Sequence, residues 1–269
     1  MVIQHNIAAN NAYRNLSANA SNGQKNLEKL SSGYRINRSA DDAAGLAISE
    51  QMRSKINGLD QATSNANDAI GLIQTAEGAL TETHSMLQRM VTLATQSANG
   101  TYNSTARTAI GEEVTALKAE LNRIASTTDY NGVKPLSQTN TITVQIGPTA
   151  GEKLEVATAA MSTTALGIDA ISVSSTTKAN AAITKINTAI NTVSTHRAKL
   201  GASQNRLEHT INNLKTTNEN MTAAESRIRD TDMAKEMAAF TKNNILNQAA
   251  QSMLSQANQQ PQGVLSLLR

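Results

Sequence analysis

An apolar residue returns at every seventh position along the C-terminal third of this chain: Ile186, Val193, Leu200, Leu207, Leu214, Met221 and Ile228. A straight α-helix drifts off a seven-residue period, so a chain that keeps it this long presents one seam to partner helices. The companion positions three residues earlier are mixed. Ile183, Ile190 and Ile211 are apolar, whereas Arg197, Gln204, Asn218 and Glu225 are not. Such a stripe suits a helix lying against the side of a bundle rather than one buried all round.

Partner seams occupy the first half. Leu59, Ala66, Ile73, Leu80, Leu87 and Ala94 repeat at seven, interleaved with Ala62, Ala69, Ala76, Thr83 and Met90. Alternating Ala with larger residues lets two helix axes come close. A third seam reads Ile110, Val114, Leu117, Leu121 and Ile124. A fourth, Leu16, Ala20, Gly23, Leu27 and Leu30, opens the chain, with Gly23 weakening it by about 1 kcal/mol relative to Ala. Four helical seams predict a mainly α fold, an elongated antiparallel coiled coil or helical bundle.

Composition agrees. The chain has 269 residues but one Phe, no Trp and four Tyr. Aromatics bury large apolar areas, so a sphere of this size would be short of core, whereas a long bundle needs only narrow stripes of Leu, Ile, Val and Ala. Cysteine is absent, which removes disulfides and thiolate metal sites. The opening Met1-Val2-Ile3-Gln4-His5-Asn6 lacks the basic start and apolar run of a cleavable secretory signal. No stretch approaches the roughly 20 apolar residues that span a bilayer, so no membrane insertion is expected. A Cys-free chain is also suited to export in an unfolded state. The net charge of +3 is small, and Arg35, Arg38, Arg53 and Lys55 cluster without interleaved aromatics, so nucleic-acid binding is not expected.

The pattern changes in the middle. Asp129-Tyr130-Asn131-Gly132 carries an Asn-Gly turn signal. Thr141 to Ile146 alternates polar and apolar like a half-buried strand, Gly147-Pro148 ends it, and Lys153 to Val156 offers a short returning strand. A small central β region at about 129–178, capping the helices, is expected. Residues 31–58 read as an irregular link in which Gly33, Gly45 and the Ser residues break the periodicity and Asp41-Asp42 can begin a new helical turn. A second break falls at Arg229-Asp230-Thr231-Asp232. After it Met233, Met237, Phe240, Leu246, Ala250, Met253 and Ala257 form an amphipathic stripe ending near Pro261. The simplest arrangement pairs the two chain ends. Two helices cannot bury two stripes fully, so apolar surface remains for other copies.

Nothing in the chain supports catalysis. His5, His84, His196 and His209 are far apart, and no pair has metal-ligand spacing. No Gly-x-Ser-x-Gly elbow occurs, and no phosphate-binding Gly loop. Asp41-Asp42 and Glu112-Glu113 read as a helix start and a wet helix face. No metal and no cofactor is expected, and the chain is read as no enzyme.

Several ordered motifs at both ends resemble the flagellins. They are Leu27-Glu28-Lys29-Leu30-Ser31-Ser32-Gly33-Tyr34-Arg35-Ile36-Asn37, Asp41-Asp42-Ala43-Ala44-Gly45-Leu46-Ala47-Ile48, Arg227-Ile228-Arg229-Asp230-Thr231-Asp232-Met233-Ala234 and the terminal Val264-Leu265-Ser266-Leu267-Leu268-Arg269. The resemblance covers essentially the whole chain and implies a short form lacking large variable outer domains. It implies a secreted structural subunit that polymerises into the extracellular flagellar filament for motility, exported without a cleavable signal peptide. Residues 1–43 and 227–269 would form the inner core, with self-assembly carried by Ile3, Ile7, Leu16, Leu27, Leu30, Met237, Phe240, Leu246, Met253, Leu265 and Leu268. Residues 44–226 would form the outer-core helical rod.

The implied partners are further copies of the chain, a flagellar export chaperone, the flagellar type III export apparatus, the filament cap and the innate immune receptor Toll-like receptor 5. The receptor-binding residues implied are Gln88, Arg89, Leu93, Gln96 and Glu113. Val91 and Thr92 depart from an Arg-Glu pair common in strongly stimulating flagellins. Arg89, Leu93 and Gln96 fall at helical spacings of four and three, on one face beside the seam; the spacing alone equally lets Leu93 widen the buried stripe, and it is the resemblance that implies an exposed Leu93 beside Arg89 as an interface anchor. Two alternatives stay open: a hook-filament junction protein related to flagellin, and a cytosolic coiled-coil adaptor.

Overall fold

A computed structural model describes the backbone from Asn6 to Leu267 and side chains as far as Gln260. In chain order the elements are α1 (Ile7–Ser32), α2 (Ala43–Ala98), α3 (Ser104–Thr127), β1 (Thr141–Gln145), β2 (Lys153–Ala157), α4 (Thr176–Arg229) and α5 (Met233–Leu267). Two compact units result: Asn57–Asn218, and the residues up to Ile56 with those from Glu219 onward. Both α2 and α4 contribute to each.

The Asn57–Asn218 unit holds most of the core. Every residue of the two interleaved α2 seams, Leu59 to Ala94 and Ala62 to Met90, is buried. A third column, Leu72, Ala79, Met86 and Leu93, is buried or packed against that core. Three columns give a face wide enough for more than one neighbour, as the core shared with α3 and α4 requires. In α3, Ile110, Val114 and Leu121 are buried, while Leu117 and Ile124 are only half-buried beside Ala125.

In α4 the main seam is buried from Ile186 to Leu214, whereas Met221 and Ile228 are half-exposed. Its companion column differs from the expectation. Ala182, Ala189 and His196 are buried, three residues after or four before each seam residue; Ile183 and Ile190 are only half-buried. Past Gly201 the companion crosses to Ile211, on the other side of the seam. A heptad column rotates about 20° per repeat on an unsupercoiled helix, so the flank facing the core changes after about three repeats.

The middle of the chain lies along the helices instead of capping them. β1 and β2 pair antiparallel, with Val144 opposite Leu154 and Ile142 opposite Val156. Val144, Leu154 and Val156 point into the core. Asn131 and Gly132 take φ of 51° and 83°, and Tyr130 and Val133 exchange backbone bonds of 2.9 and 3.0 Å across them. That is the two-residue turn for which Asn-Gly is suited. Residues 158–175 form no strand, yet bury Met161, Leu166, Ile168, Ile171 and Val173. Asn122 of α3 receives the Thr163 N–H at 2.9 Å, Lys118 donates to Asp169 O at 2.8 Å, and Ser97 at the end of α2 donates to Val173 O at 2.5 Å. The segment is a strap along the helices.

The irregular link is shorter than expected, because α2 begins at Ala43. The Asp42 carboxylate accepts the Gly45 N–H at 2.9 Å, satisfying one of the orphan donors of the first turn. Gly45 and Gly58 lie within α2, and neighbours fill the space a side chain would take there: Ile36 and Asp42 at the first, Pro148 at the second.

α5 also continues past Pro261 to Leu267. Proline has no N–H to give the carbonyl four residues earlier, here Ala257 O. That oxygen instead accepts Asn6 Nδ2 at 2.8 Å.

Candidate functional site

α1 packs along α5. The face it uses is not the one its sequence seam suggests. Ala12, Leu16, Asn19, Asn26 and Leu30 are half-buried and Gly23 is buried, whereas Ala20 and Leu27 are exposed. On α5 the corresponding half-buried residues are Phe240, Asn243, Asn247, Ala250, Leu254 and Ala257. A Cβ added at Gly23 would lie 3.7 Å from Asn247 Nδ2, so this is where the helices approach closely. With its amide turned to match its neighbours, Asn26 donates to Glu236 Oε1 at 3.0 Å and accepts from Asn243 Nδ2 at 2.9 Å. Small residues and amides thus make much of the pair.

Most of the larger apolar side chains face outward. Ile7 is 69% exposed, Tyr13 63%, Leu27 56%, Met237 50%, Ile245 62% and Met253 59%; Met233 and Leu246 are exposed too. Of the expected assembly residues, Leu16, Leu30 and Phe240 are half-buried within the pair, and Ile7, Leu27, Met237, Leu246 and Met253 lie outside it. Ile3 and Leu268 lie outside the described residues, as does the side chain of Leu265. Tyr13 continues the Ala20–Leu27 column of the α1 seam, seven residues before Ala20, so its place was legible in the sequence, whereas Ile245 lies off the α5 stripe.

Gly33–Asn37 and Ile228–Thr231 cross beside this pair. Arg35 N–H donates to Arg229 O at 2.7 Å and Thr231 N–H to Gly33 O at 3.0 Å. The Arg35 guanidinium reaches Ile228 O at 2.5 Å, placing a cation where the α4 dipole is negative. Arg229 lies 4.8 Å over the Tyr34 ring and donates to Glu50 Oε1 at 2.5 Å. Asp41 accepts the N–H groups of Arg38 and Asn37; the Arg38 bond chiefly holds its carboxyl below the usual range. No periodicity joins residues so distant in sequence.

The second surface lies on α2 and α3. Arg89 Nε donates to Glu113 Oε1 at 2.8 Å, and both side chains are about half-exposed. Gln88 bonds the His84 ring at 3.0 Å, and Gln96 donates to the Tyr102 hydroxyl at 3.0 Å. These groups form a polar helix face. Leu93 does not join it: it is 2% exposed, in the same column as Leu72, Ala79 and Met86. The expectation of an exposed Leu93 is corrected by this packing, for which the period-seven recurrence of those residues was a legible signal.

His196 is buried on the α4 companion column, with its Nε2 lacking a hydrogen-bond partner. Burial, with Lys199 adding to it, lowers its pKa and favours the neutral ring. Among the described residues no group of three or more His, Cys, Asp or Glu is placed to hold a metal ion, and no helix is long and apolar enough to cross a membrane.

Residues 3–141 match the bacterial flagellin N-terminal helical region and residues 183–268 the bacterial flagellin C-terminal helical region. The chain is 54% identical over 272 residues to a flagellin of Halalkalibacterium halodurans, covering 100% of both. It is 52% identical over 305 residues to a flagellin of Bacillus subtilis, again covering 100% of both. The crystal structure of Bacillus cereus flagellin is similar with a TM-score of 0.51 at 34% identity, over 60% of this chain and 94% of that one. With both terminal regions matched in order and more than half of all positions identical to a full-length relative, this chain belongs to the bacterial flagellin family.

Proposed function

We infer that this chain is a structural subunit of the bacterial flagellar filament, not an enzyme, and that copies assemble through the outward apolar side chains of α1 and α5. Family membership supports the first part. One observation carries the second: the helix pair closes around Gly23, alanines and amides, leaving Ile7, Leu27, Met237 and Met253 in water. Each such side chain removed from water contributes about 1.5–3 kcal/mol, and an apolar set this large marks an interaction site. Residues 1–43 and 227–269 are assigned to the inner core and 44–226 to the outer core. On the same resemblance the subunit reaches the filament through an export chaperone and the flagellar type III apparatus and adds beneath the filament cap.

Deletion of Met233–Arg269 tests the assembly surface by negative-stain microscopy. The full chain should give long filaments and the deletion none, while circular dichroism shows the helices of the rod retained. Filaments from the truncated chain would overturn the assignment.

A second reading is supported by the exposed Arg89–Glu113 pair, which joins α2 to α3. We propose that this pair, with Gln88 and Gln96, forms the contact face for Toll-like receptor 5. Leu93 supports that face from below.

A further inference from the structure

A slot of about 390 Å³ opens beside the hairpin within the Asn57–Asn218 unit. One wall is β1 itself. The residues paired by backbone bonds with β2 fall at even positions, as the Ile146–Glu152 and Asn140–Thr158 bonds mark. In an antiparallel ladder the intervening residues direct their N–H and C=O to the opposite edge. Thr141, Thr143 and Gln145 therefore present their backbone groups away from β2. The outward Gln145 carbonyl is taken by Asn65 Nδ2 at 3.1 Å, and the Thr141 N–H by the Asn140 side chain at 2.8 Å. The Thr143 N–H and C=O face the slot.

The floor is apolar, made by Ala69 and Leu72 of α2 with Val144 and Val156 of the hairpin, all buried. The far wall is the closed Tyr130–Val133 turn, where Val133 is 41% exposed. The charged group at the rim is the Asp68 carboxylate, which no hydrogen bond or ion pair holds among the described residues.

We propose that this slot receives a single extended peptide segment of another protein. The segment would pair its backbone with Thr143, between the Asn140 and Asn65 side chains that hold the neighbouring outward groups of β1, place one aliphatic side chain on the Ala69–Leu72 floor, and carry a Lys or Arg two residues away. Each part follows from a wall. An unpaired edge is a template for a further strand, and alternate side chains then supply specificity. The Tyr130–Val133 turn closes the slot on the side away from β1. Residues two apart on a strand share a face, which directs the cation and the aliphatic group together toward α2, where Asp68 supplies the opposite charge.

The test uses full-length monomer, isotopically labelled, and a blocked heptapeptide TKVLTVT followed by amide NMR shifts. Saturable shifts are expected at the Thr143 and Gln145 amides. N-methylation of the two residues flanking the leucine removes the donors that would face Thr143, and should weaken binding about tenfold. Exchanging the peptide Lys for Glu, or Asp68→Asn in the protein, should weaken it about threefold, the scale of an exposed ion pair. Absence of saturable shifts at millimolar peptide, equal binding by the N-methylated peptide, or indifference to both charge changes would overturn the proposal. Shifts at Thr143 that depend on protein concentration without peptide would assign the edge to a second copy, and overturn it equally.

Discussion

Asn6 Nδ2 donates to Ala257 O at 2.8 Å, and Ala257 O is the carbonyl from which Pro261 withholds a helical donor. The same Asn6 side chain accepts the Ala9 N–H at 3.0 Å and caps α1. One residue thus satisfies an orphan donor at the start of the first helix and an orphan acceptor near the end of the last. Asn6→Asp keeps the cap but loses the donor; Asn6→Ala loses both. The Asn6→Ala change should destabilise the terminal helix pair by about 1–3 kcal/mol, the sum of a cap and a hydrogen bond. In a Pro261→Ala background the Asn6→Asp penalty should shrink, because the substituted residue brings back the backbone N–H that proline lacks. A double-mutant cycle read by amide exchange in α1 checks this; equal penalties in both backgrounds would refute the link.

Three glycines of α2 should respond differently to alanine. At Gly71 a Cβ would lie 2.9 Å from the Tyr130 hydroxyl, and at Gly58 2.8 Å from Pro148 Cβ. At Gly78 nothing lies within 4 Å. Gly78→Ala should therefore stabilise by up to about 1 kcal/mol through helix propensity. Gly71→Ala and Gly58→Ala should destabilise by about 1–3 kcal/mol through overpacking. Urea midpoints of the three variants decide the matter.

Leu93 and Arg89 should separate stability from recognition. Leu93→Ala opens a core cavity and should cost about 2–5 kcal/mol of stability. Arg89→Ala removes an exposed ion pair, costing at most about 1 kcal/mol of stability but about 1–3 kcal/mol of Toll-like receptor 5 affinity if that face is the contact. Thermal melts and binding to monomer measure the two. Equal receptor loss from both, tracking lost helicity, would show that Arg89 acts only through the fold.

Acid should weaken the Asn57–Asn218 unit through His196. Burial holds its folded pKa below the ordinary value of 6.5. The contribution is present above that unfolded value and is lost as pH falls through the folded one, because the unfolded ring takes up the proton first. The stability slope is at most about 1.4 kcal/mol per pH unit for one proton. His196→Leu should flatten the urea midpoint between about pH 7.5 and pH 5; an unchanged slope would assign the acid sensitivity elsewhere.

Much of this protein is written locally in its chain. The α2 seams, the Asn131-Gly132 turn and the two short strands follow from period, propensity and turn chemistry, each acting over a few residues. The terminal motifs likewise carried the resemblance to the flagellins. Tertiary structure decided which of two neighbouring columns faces a partner. Helical drift moved the α4 companion from His196 to Ile211, a third α2 column buried Leu93, and close approach at Gly23 turned Leu27 outward. It also decided that positions 58 and 71 have no room for a side chain, since Pro148 and Tyr130 fill the space beside them, and that Pro261 is tolerated in α5, since Asn6 reaches Ala257 O. Period and propensity act along the chain, while space and unmatched backbone groups are settled only by residues brought together from far apart in it.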